Sequence, residues 1–220
     1  MTLYLLPNLL LETANPKASI VPVIHELIYN LDGFFVETPK VARQYLKHFD
    51  FDRLRDKPMV PIDKHAEIAL PMIDPLIKGE SWGVISDAGL PCIADPGARV
   101  VALARRAGIK IVAYPGPCSI THALSLSGFD GNGFTFHGYF PKKFIPLPLG
   151  IHIFIETPYN NISTIEALSA HLKPRDILCV ASDLMGETEE VVIKKISEWR
   201  EDSELKRFHK RPSIILLQIR

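Results

Sequence analysis

Two short loops rich in glycine and proline are the part of this sequence whose residue types could bind a ligand. The first loop covers residues 86–91 and the second covers residues 115–119, and each follows an apolar run typical of a buried strand. In an open parallel sheet, ligands bind at the carboxyl ends of the strands. Gly89 and Gly116 have no Cβ, so a ligand can approach the backbone closely there. The spacing therefore predicts a binding site at these strand ends.

The elements that would position these loops alternate between strand and helix through the first half of the chain. Strands are predicted at residues 2–6, 33–37, 59–62, 83–85 and 109–114. Helices are predicted at residues 20–31, 39–49, 66–78, from 95 onward, and 120–127. Pro61 cannot donate to a central ladder, which places the third strand at an edge. Asp95 is expected to cap the fourth helix, with Pro96 at its first position. This alternation predicts a parallel sheet with crossover helices.

The second half repeats the alternation less regularly and predicts a second α/β domain with a mixed sheet. Strands are predicted at residues 134–140, 151–156, 177–181 and 213–219, and helices at 161–171 and 192–200. Residues 187–192 fit a strand or a turn. Asn160 or Asn161 is expected to cap the helix at residues 161–171. We place the domains at residues 1–116 and 117–220.

Composition limits the class of protein. The 220 residues are 47% apolar, which is enough for a substantial core. Lysine plus arginine and aspartate plus glutamate each number 25, so the net charge is zero, which argues against a strongly charged nucleic-acid-binding protein. Cys92, Cys118 and Cys179 lack any CxxC spacing, which favours reduced thiols in a cytoplasmic protein over a disulfide framework or a zinc site. No metal site is expected.

Membrane insertion and secretion are also not indicated. No apolar run is long enough to span a bilayer. Residues 1–7 have no basic region and reach a proline early, so we interpret them as a first strand rather than a signal peptide.

The two loops and their flanking residues resemble the tetrapyrrole (corrin/porphyrin) methylase superfamily, and most closely its ribosomal RNA small-subunit methyltransferase I group. The motifs that carry the resemblance are Ile85-Ser-Asp-Ala-Gly-Leu-Pro91, Ala94-Asp-Pro-Gly97 and Tyr114-Pro-Gly-Pro-Cys-Ser119. Three further matches stand in the expected order, at residues 36–38, 136–142 and 153–158. The resemblance covers most of the chain, and the joint occurrence of the two loops is specific.

The resemblance implies a fold of two α/β domains, with S-adenosylmethionine bound in a cleft between them, and a homodimer. It assigns the following residues to cofactor binding: Asp87, Ala88, Gly89, Leu90, Pro91, Cys118, Ser119, Ile120, Glu156 and Ala181. From the residues alone, Asp87 fits either a ligand contact or a cap of its own loop. Ser119 fits a cap or a cofactor contact better than a nucleophile, because no G-x-S-x-G elbow surrounds it.

The chain departs from the family pattern at several places. Residues 7–12, after the first strand, lack the expected glycine, and residues 37–40 lack the expected Asp and Arg. Ser182-Asp183 stands where an Arg-Glu pair is expected, and Arg211-Pro-Ser213 replaces a near-terminal glycine. Only residues 144–150 join Lys143 to the strand that follows, where the family has a helix.

Methyl transfer from a sulfonium is an in-line displacement, so most of the rate comes from aligning the acceptor. A ribose hydroxyl is a poor nucleophile and benefits from a general base or from a donor to the forming alkoxide. The candidates are Glu37, Glu156, Lys142 and Lys143. The first choice of acceptor is a ribose 2′-hydroxyl of small-subunit ribosomal RNA. Two alternatives stay open: a tetrapyrrole-like small acceptor, and a non-catalytic module that binds the cofactor or a protein.

Overall fold

The computed structural model describes residues 1–62, 70–142 and 144–220. It divides into two compact units, Met1–Pro117 and Cys118–Arg220. The α/β class expected from the sequence is confirmed. Part of the helix predicted at residues 66–78 lies outside the described residues. Its described part is a 3-10 turn at Leu70–Ile73 followed by a short α-helix.

The first unit is a parallel sheet with connecting helices. Its strands are β1 (Thr2–Leu6), β2 (Gly33–Val36), β3 (Met59–Pro61), β4 (Ser81–Ile85) and β5 (Lys110–Ala113). Its α-helices are α1 (Pro16–Ser19), α2 (Val23–Leu27), α3 (Pro39–Leu46), α4 (Asp74–Ile77) and α5 (Gly97–Arg106). The strand order is β3-β2-β4-β1-β5, and every pairing is parallel. β1 therefore lies between β4 and β5, and the two glycine-containing loops flank the loop that follows β1.

Aromatic packing fixes the middle of this sheet. Trp82 on β4 is 3% exposed and packs against Phe35 on β2, with ring centroids 4.8 Å apart. Gly33 faces the same indole, and a Cβ there would lie 2.6 Å from it. The glycine is thus required by close packing. β3 is an edge strand, as expected from Pro61.

The second unit is a mixed sheet. Its strands are β6 (Thr135–Tyr139), β7 (Gly150–Glu156), β8 (Ile177–Ser182), β9 (Glu190–Lys195) and β10 (Ser213–Ile219). Its α-helices are α6 (Ser119–Ser127), α7 (Asn161–His171) and α8 (Ile196–Trp199). The order is β6-β7-β10-β8-β9, in which only the β6–β7 pairing is parallel among the described strands.

One face of this second sheet is buried under α7. Ile165 and Leu168 of α7 pack with Ile215 and Leu217 of β10 in an apolar cluster that also holds Trp199. Successive strand residues point to opposite faces, so Ser213 falls on the same face as Ile215. The face of the sheet that α7 covers therefore changes from apolar to polar at the end where β10 begins.

Several sequence-based boundaries were wrong. The helix predicted at residues 192–200 is strand up to Lys195, because the β-branched residues of β9 pair with β8, and only Ile196–Trp199 is α-helical. The helix predicted at residues 20–31 begins only at Val23 and ends in a 3-10 turn. Asn160 occupies the N-cap position of α7, as expected, but its side chain makes no cap bond, and the Asn161 amide donates to the Phe208 carbonyl instead. Among the described residues, no helix is both long and apolar enough to cross a membrane.

Candidate functional site

Asn8 joins the loop after β1 to the loop after β4. Its amide nitrogen donates to the carbonyl oxygens of Ser86 at 2.9 Å and Asp87 at 3.2 Å, and its Oδ1 accepts from the Leu9 N–H at 2.8 Å. The backbone adds two bonds, from Asn8 N to Gly89 O at 2.9 Å and from Gly89 N to Leu9 O at 3.2 Å. Asn8 is 4% exposed. The β4 loop is therefore held by the β1 loop along most of its length.

Both loop glycines are in close contact with their own unit. A Cβ on Gly89 would lie 3.0 Å from the Leu10 side chain and 3.0 Å from the Pro117 carbonyl oxygen. A Cβ on Gly116 would lie 2.1 Å from the ring of Pro7. Gly89 also has φ +66°, a conformation that glycine adopts without strain. Internal packing thus accounts for both glycines, and close approach of a ligand is not needed to explain them.

Asp87 ties the β4 loop to the start of α3. Its Oδ1 accepts from the Thr38 N–H at 3.0 Å, and its Oδ2 accepts from the Thr38 hydroxyl at 2.7 Å. The Asp87 N–H donates to Glu37 Oε2 at 3.1 Å. Thr38 is the N-cap residue of α3, but its side chain makes no hydrogen bond to the helix backbone. Two predicted site residues, Glu37 and Asp87, are thus brought together at the carboxyl edge of the first sheet.

The rest of the β4 loop has mixed exposure. Ala88 is exposed at the tip of the loop, Leu90 is half-buried, and Pro91 is buried. Their assignment to cofactor binding stays a prediction.

Pro96, and not Asp95 as expected, occupies the N-cap position of α5, although the Asp95 side chain binds the backbone there. Asp95 Oδ1 accepts from the Gly97 N–H at 2.7 Å and its Oδ2 from the Cys92 N–H at 2.8 Å. α5 begins at Gly97, one residue later than the proline at 96. Cys92 and Ala94 both have positive φ values, of 74° and 61°. Burial, together with the nearby Asp95 carboxylate, raises the pKa of Cys92 to about 12, so this residue stays a thiol at neutral pH.

A polar row crosses the second sheet at the end nearest the start of α7. Glu156 of β7 is in register with Ser213 of β10, Ser213 with Ser182 of β8, and Ser182 with Glu190 of β9. The Ser182 and Ser213 hydroxyl oxygens are 2.7 Å apart. Residues in register share a face, so the row continues the face that α7 covers.

Glu156 is turned into this unit and is 6% exposed. Its Oε1 accepts from the N–H of Thr157 at 2.6 Å and from its hydroxyl at 3.2 Å. Its Oε2 accepts from the Thr164 hydroxyl of α7 at 2.5 Å. Among the described residues, no cation pairs with this carboxylate. The contacts are those of a group that fastens α7 to β7.

Ala181 is fully buried on the other face of the same sheet. It is in register with Ile214, and Ile214 with Ile155, whereas Glu156 belongs to the neighbouring row. Because side chains alternate along a strand, Ala181 and Glu156 point to opposite faces. The structure therefore does not bring these two predicted cofactor contacts to one surface of the sheet.

The remaining predicted residues of the second loop lie at the start of α6. Cys118 precedes the helix, and its carbonyl accepts from the His122 N–H at 2.9 Å. Ser119 is half-buried, and Ile120 is 5% exposed within the core of the second unit. Their role as cofactor contacts stays a prediction.

Two segments that depart from the family pattern contact each other in the second unit: Ser182-Asp183 and Arg211-Pro-Ser213. Arg211 Nε donates to Asp183 Oδ2 at 2.7 Å, and the Asp183 N–H donates to Pro212 O at 3.0 Å. Arg211 also donates to Glu190 and to the Thr188 carbonyl. Burial opposes the charge, but the bonds to Glu190 and Asp183 outweigh it and raise the pKa of Arg211. The guanidinium therefore fixes residues 183–190, which leave β8 and enter β9.

His137 is bonded to a second histidine. His137 Nε2 lies 2.9 Å from His152 Nδ1, and His152 Nε2 lies 2.9 Å from Pro148 O. A carbonyl only accepts, so we assign the His152 proton to Nε2 and the shared proton to His137 Nε2. Burial, and secondly the neighbouring His152, lower the pKa of His137. His137 also stacks on Phe154, with centroids 4.6 Å apart.

Of the basic candidates, Lys142 is exposed, and Lys143 lies outside the described residues. Among the described residues, no group of three or more His, Cys, Asp or Glu is arranged to hold a metal ion.

Comparison with known proteins decides the family. The sequence profile described as Tetrapyrrole (Corrin/Porphyrin) Methylases matches residues 22–199, which is most of the chain. The chain belongs to the tetrapyrrole methylase family. The resemblance inferred from the two loop motifs is thereby confirmed.

Two relatives of this tetrapyrrole methylase carry the same name. The ribosomal RNA small subunit methyltransferase I of Xylella fastidiosa strain Temecula1 is 43% identical over 124 residues, which is 56% of this chain and 44% of that protein. The protein of the same name from Haemophilus influenzae is 31% identical over 188 residues, which is 79% of this chain and 65% of that protein. The chain thus spans between about two fifths and two thirds of these relatives.

Solved structures agree on the fold. Uroporphyrin-III-C-methyltransferase from Thermus thermophilus superposes with a TM-score of 0.64 at 16% identity, covering 99% of this chain and 94% of that one. Cobalt precorrin-4 methyltransferase gives 0.62 at 13% identity with the same coverage. At these identities the likeness concerns the tetrapyrrole methylase fold alone.

Sequence reasoning missed the residues that hold the loops. Asn8 and Thr38 bind the β4 loop from two sides, and Thr164 binds Glu156. An available signal was the position of Asn8 directly after an apolar strand, where an asparagine side chain commonly bonds nearby backbone. Its partners are 78 and 79 residues away in sequence, which no local pattern indicates.

Proposed function

We propose that this chain is an S-adenosylmethionine-dependent methyltransferase whose acceptor is a ribose 2′-hydroxyl of small-subunit ribosomal RNA. The observation that carries the proposal is the family match over residues 22–199, supported by relatives named as ribosomal RNA methyltransferases. The acceptor class rests on those names, and the cofactor on the family.

The carboxyl edge of the first sheet has chemistry that fits the cofactor. Glu37 and Asp87 meet there, with the Asp87 N–H 3.1 Å from Glu37 Oε2. A methyl donor with a sulfonium, an ammonium group and ribose hydroxyls complements two carboxylates in charge and in hydrogen bonding. Ala88, at the exposed loop tip, adds a small side chain that leaves the edge accessible. When bound, S-adenosylmethionine supplies an electrophilic methyl group.

The chain's own task is to align the acceptor oxygen and to remove its proton. Among the candidate bases, Glu37 is half-buried at this edge, whereas Glu156 is enclosed by threonine donors in the second unit. We therefore assign proton removal to Glu37 and a positioning role to Glu156. Asp87 holds Thr38, the residue next to Glu37, and this limits the directions in which the Glu37 carboxylate can point.

The proposal extends to the form and place of the protein. We propose a homodimer that works in the cytoplasm, in contact with the small ribosomal subunit. Cys92, Cys118 and Cys179 are all free thiols, which is compatible with a reducing compartment.

Two measurements test the proposed function. Calorimetry with S-adenosylmethionine tests cofactor binding, and we expect saturable heat. Transfer of tritiated methyl groups to small ribosomal subunits, in parallel with a precorrin substrate, tests the acceptor, and we expect label in the RNA. Label in the precorrin alone would assign a tetrapyrrole acceptor. Binding without transfer to either would favour a non-catalytic module.

A further inference from the structure

Three exposed cations form a ridge along α3 in the first unit. Lys40, Arg43 and Lys47 are spaced by three and four residues, so they fall on one side of the helix and its C-terminal cap. We call them the basic ridge. The opposite side of α3 is buried through Ala42, Tyr45 and Leu46. With a rise of 1.5 Å per residue, the ridge extends for about 10 Å.

The charge of the basic ridge is not balanced locally. α3 contains no acidic residue. Among the described residues, none of the three cations takes part in an ion pair, whereas Lys194 is paired with Asp202. Glu12 contacts α3, but its carboxylate accepts from Gln44 at 3.1 Å rather than from a cation. A chain of zero net charge thus carries, on one exposed side of one helix, three cations without an ion-pair partner among the described residues.

Helix stability explains the basic ridge only in part: the macrodipole favours Arg43 in the last turn and Lys47 at the C-cap, but it does not favour Lys40. Lys40 lies in the first turn, where the positive end of the helix macrodipole disfavours a cation. Arg43 and Lys47 are four residues apart, and like charges at this spacing destabilise a helix. An anion lying along the ridge would offset both the unfavourable position of Lys40 and the repulsion between Arg43 and Lys47.

The basic ridge starts at the proposed site. Thr38, which precedes α3, is bound to Asp87 of the β4 loop at the carboxyl edge of the sheet. Lys40 follows two residues later, and the ridge runs away from that edge toward Lys47. A polyanion bound along the ridge would therefore arrive at the edge that holds Glu37.

We propose that the basic ridge binds the phosphate backbone of the RNA acceptor and leads the strand to the carboxyl edge of the first sheet. The inference rests on the proposed function and adds the surface that receives the substrate. A row of separate, solvent-exposed cations suits a long polyanion, since each can neutralise one phosphate without a pocket. It also accounts for RNA binding by a chain with no net charge.

The test uses the full chain and protein-free small-subunit ribosomal RNA as the probe. The ridge variant carries Lys40→Gln, Arg43→Gln and Lys47→Gln, which retain good helix formers. The control variant carries Arg105→Gln, Arg106→Gln and Lys110→Gln. These three exposed cations lie at the C-terminal end of α5 and the start of β5, on the opposite edge of the same sheet. The RNA dissociation constant is measured against salt concentration for all three proteins.

A plot of the logarithm of the RNA dissociation constant against the logarithm of the salt concentration should be less steep for the ridge variant, by about 2 in slope. Near 0.15 M salt the variant should bind RNA about 50-fold more weakly than the wild type. The control variant should keep the wild-type slope. An equal loss in both variants, an unchanged slope in the ridge variant, or no RNA binding by the wild type would overturn the inference. A ridge variant that loses affinity only for a carboxylated tetrapyrrole would do the same.

The proposed function fails separately from the basic ridge. A wild-type protein that binds RNA through the ridge but transfers no methyl group to it would refute the activity and leave the surface in place. Thermal unfolding of the ridge variant serves as the folding control, because Lys40, Arg43 and Lys47 are exposed and their replacement should leave the melting temperature nearly unchanged.

Discussion

Arg211 and Asp183 form an ion pair, with Nε 2.7 Å from Oδ2, and each lies at a place where the chain departs from its family's pattern. The same two places also meet through Ser182 and Ser213, whose hydroxyl oxygens are 2.7 Å apart. Changes that are distant in sequence are thus matched in space.

The Arg211–Asp183 pair should contribute measurably to stability. Both side chains are largely buried, at 18% and 12% exposure, so Arg211→Met should cost about 2 kcal/mol of unfolding free energy. In a double-mutant cycle with Asp183→Asn, we expect a coupling energy of about 1 kcal/mol or more. The measurement is urea denaturation.

The exposed pair Arg55–Asp52 is the matched control for that cycle. Its side chains are 60% and 85% exposed, so its coupling energy should be close to zero. Equal coupling in the two cycles would contradict a structural role for Arg211.

Gly89 and Gly108 form a second matched pair, with φ values of +66° and +68°. Gly108→Ala should cost about 1–2 kcal/mol, because an L-residue is strained in this conformation and no atom obstructs the new Cβ. Gly89→Ala should cost about 1 kcal/mol more, since its Cβ would meet the Pro117 carbonyl and Leu10 at 3.0 Å. Chemical denaturation measures both. Identical losses would mean that the β4 loop is not packed closely against its own unit.

The two candidate bases should respond differently to loss of the carboxylate. Glu37→Gln should lower kcat for methyl transfer by about 10²-fold or more, as for removal of a general base. Glu156→Gln should mainly lower the melting temperature, because it disturbs the bonds from Thr157 and Thr164. Single-turnover methyl transfer and thermal unfolding on both variants check the assignment. A large kcat defect in Glu156→Gln, with Glu37→Gln unaffected, would reverse the roles.

Asp202 should give a pH-dependent contribution to stability. Its hydrogen bond with Arg207, helped by Lys194, holds the pKa of this carboxyl well below its usual value of 3.8. A depressed folded-state pKa means that the contribution is complete above about pH 5 and is lost as the pH falls through 3.8 and below. The stability difference between wild type and Asp202→Asn should therefore shrink between pH 7 and pH 3. Urea titrations across this range measure it, and a constant difference would contradict the pairing.

Local patterns predicted the elements with strong periodicity and clear breakers. β1, β10 and α7 have the boundaries that the sequence indicates. The sequence predicts a helix for part of β9, because the Val-Val-Ile-Lys-Lys run has no polar alternation and forms a strand only through its pairing with β8.

The candidate site was less accessible to sequence reasoning than the fold. The motifs indicated Glu37 and Asp87, which do meet. They could not indicate that Asn8 fastens the β4 loop, because that contact depends on β1 lying beside β4. They also could not place Ala181 and Glu156 on opposite faces, since faces follow from register.

The position of β1 inside the sheet, between β4 and β5, has a consequence for biosynthesis. Thr2 is in register with both Ser81 and Lys110, so β1 has no partner until the growing chain reaches β4, and it gains its second partner only when β5 has been made. Through that interval the nascent chain carries an unpaired apolar segment, Leu3, Leu5 and Leu6, of the kind that chaperones bind. Closure of the first sheet is thereby a late, non-local event, and contact order makes such events slow.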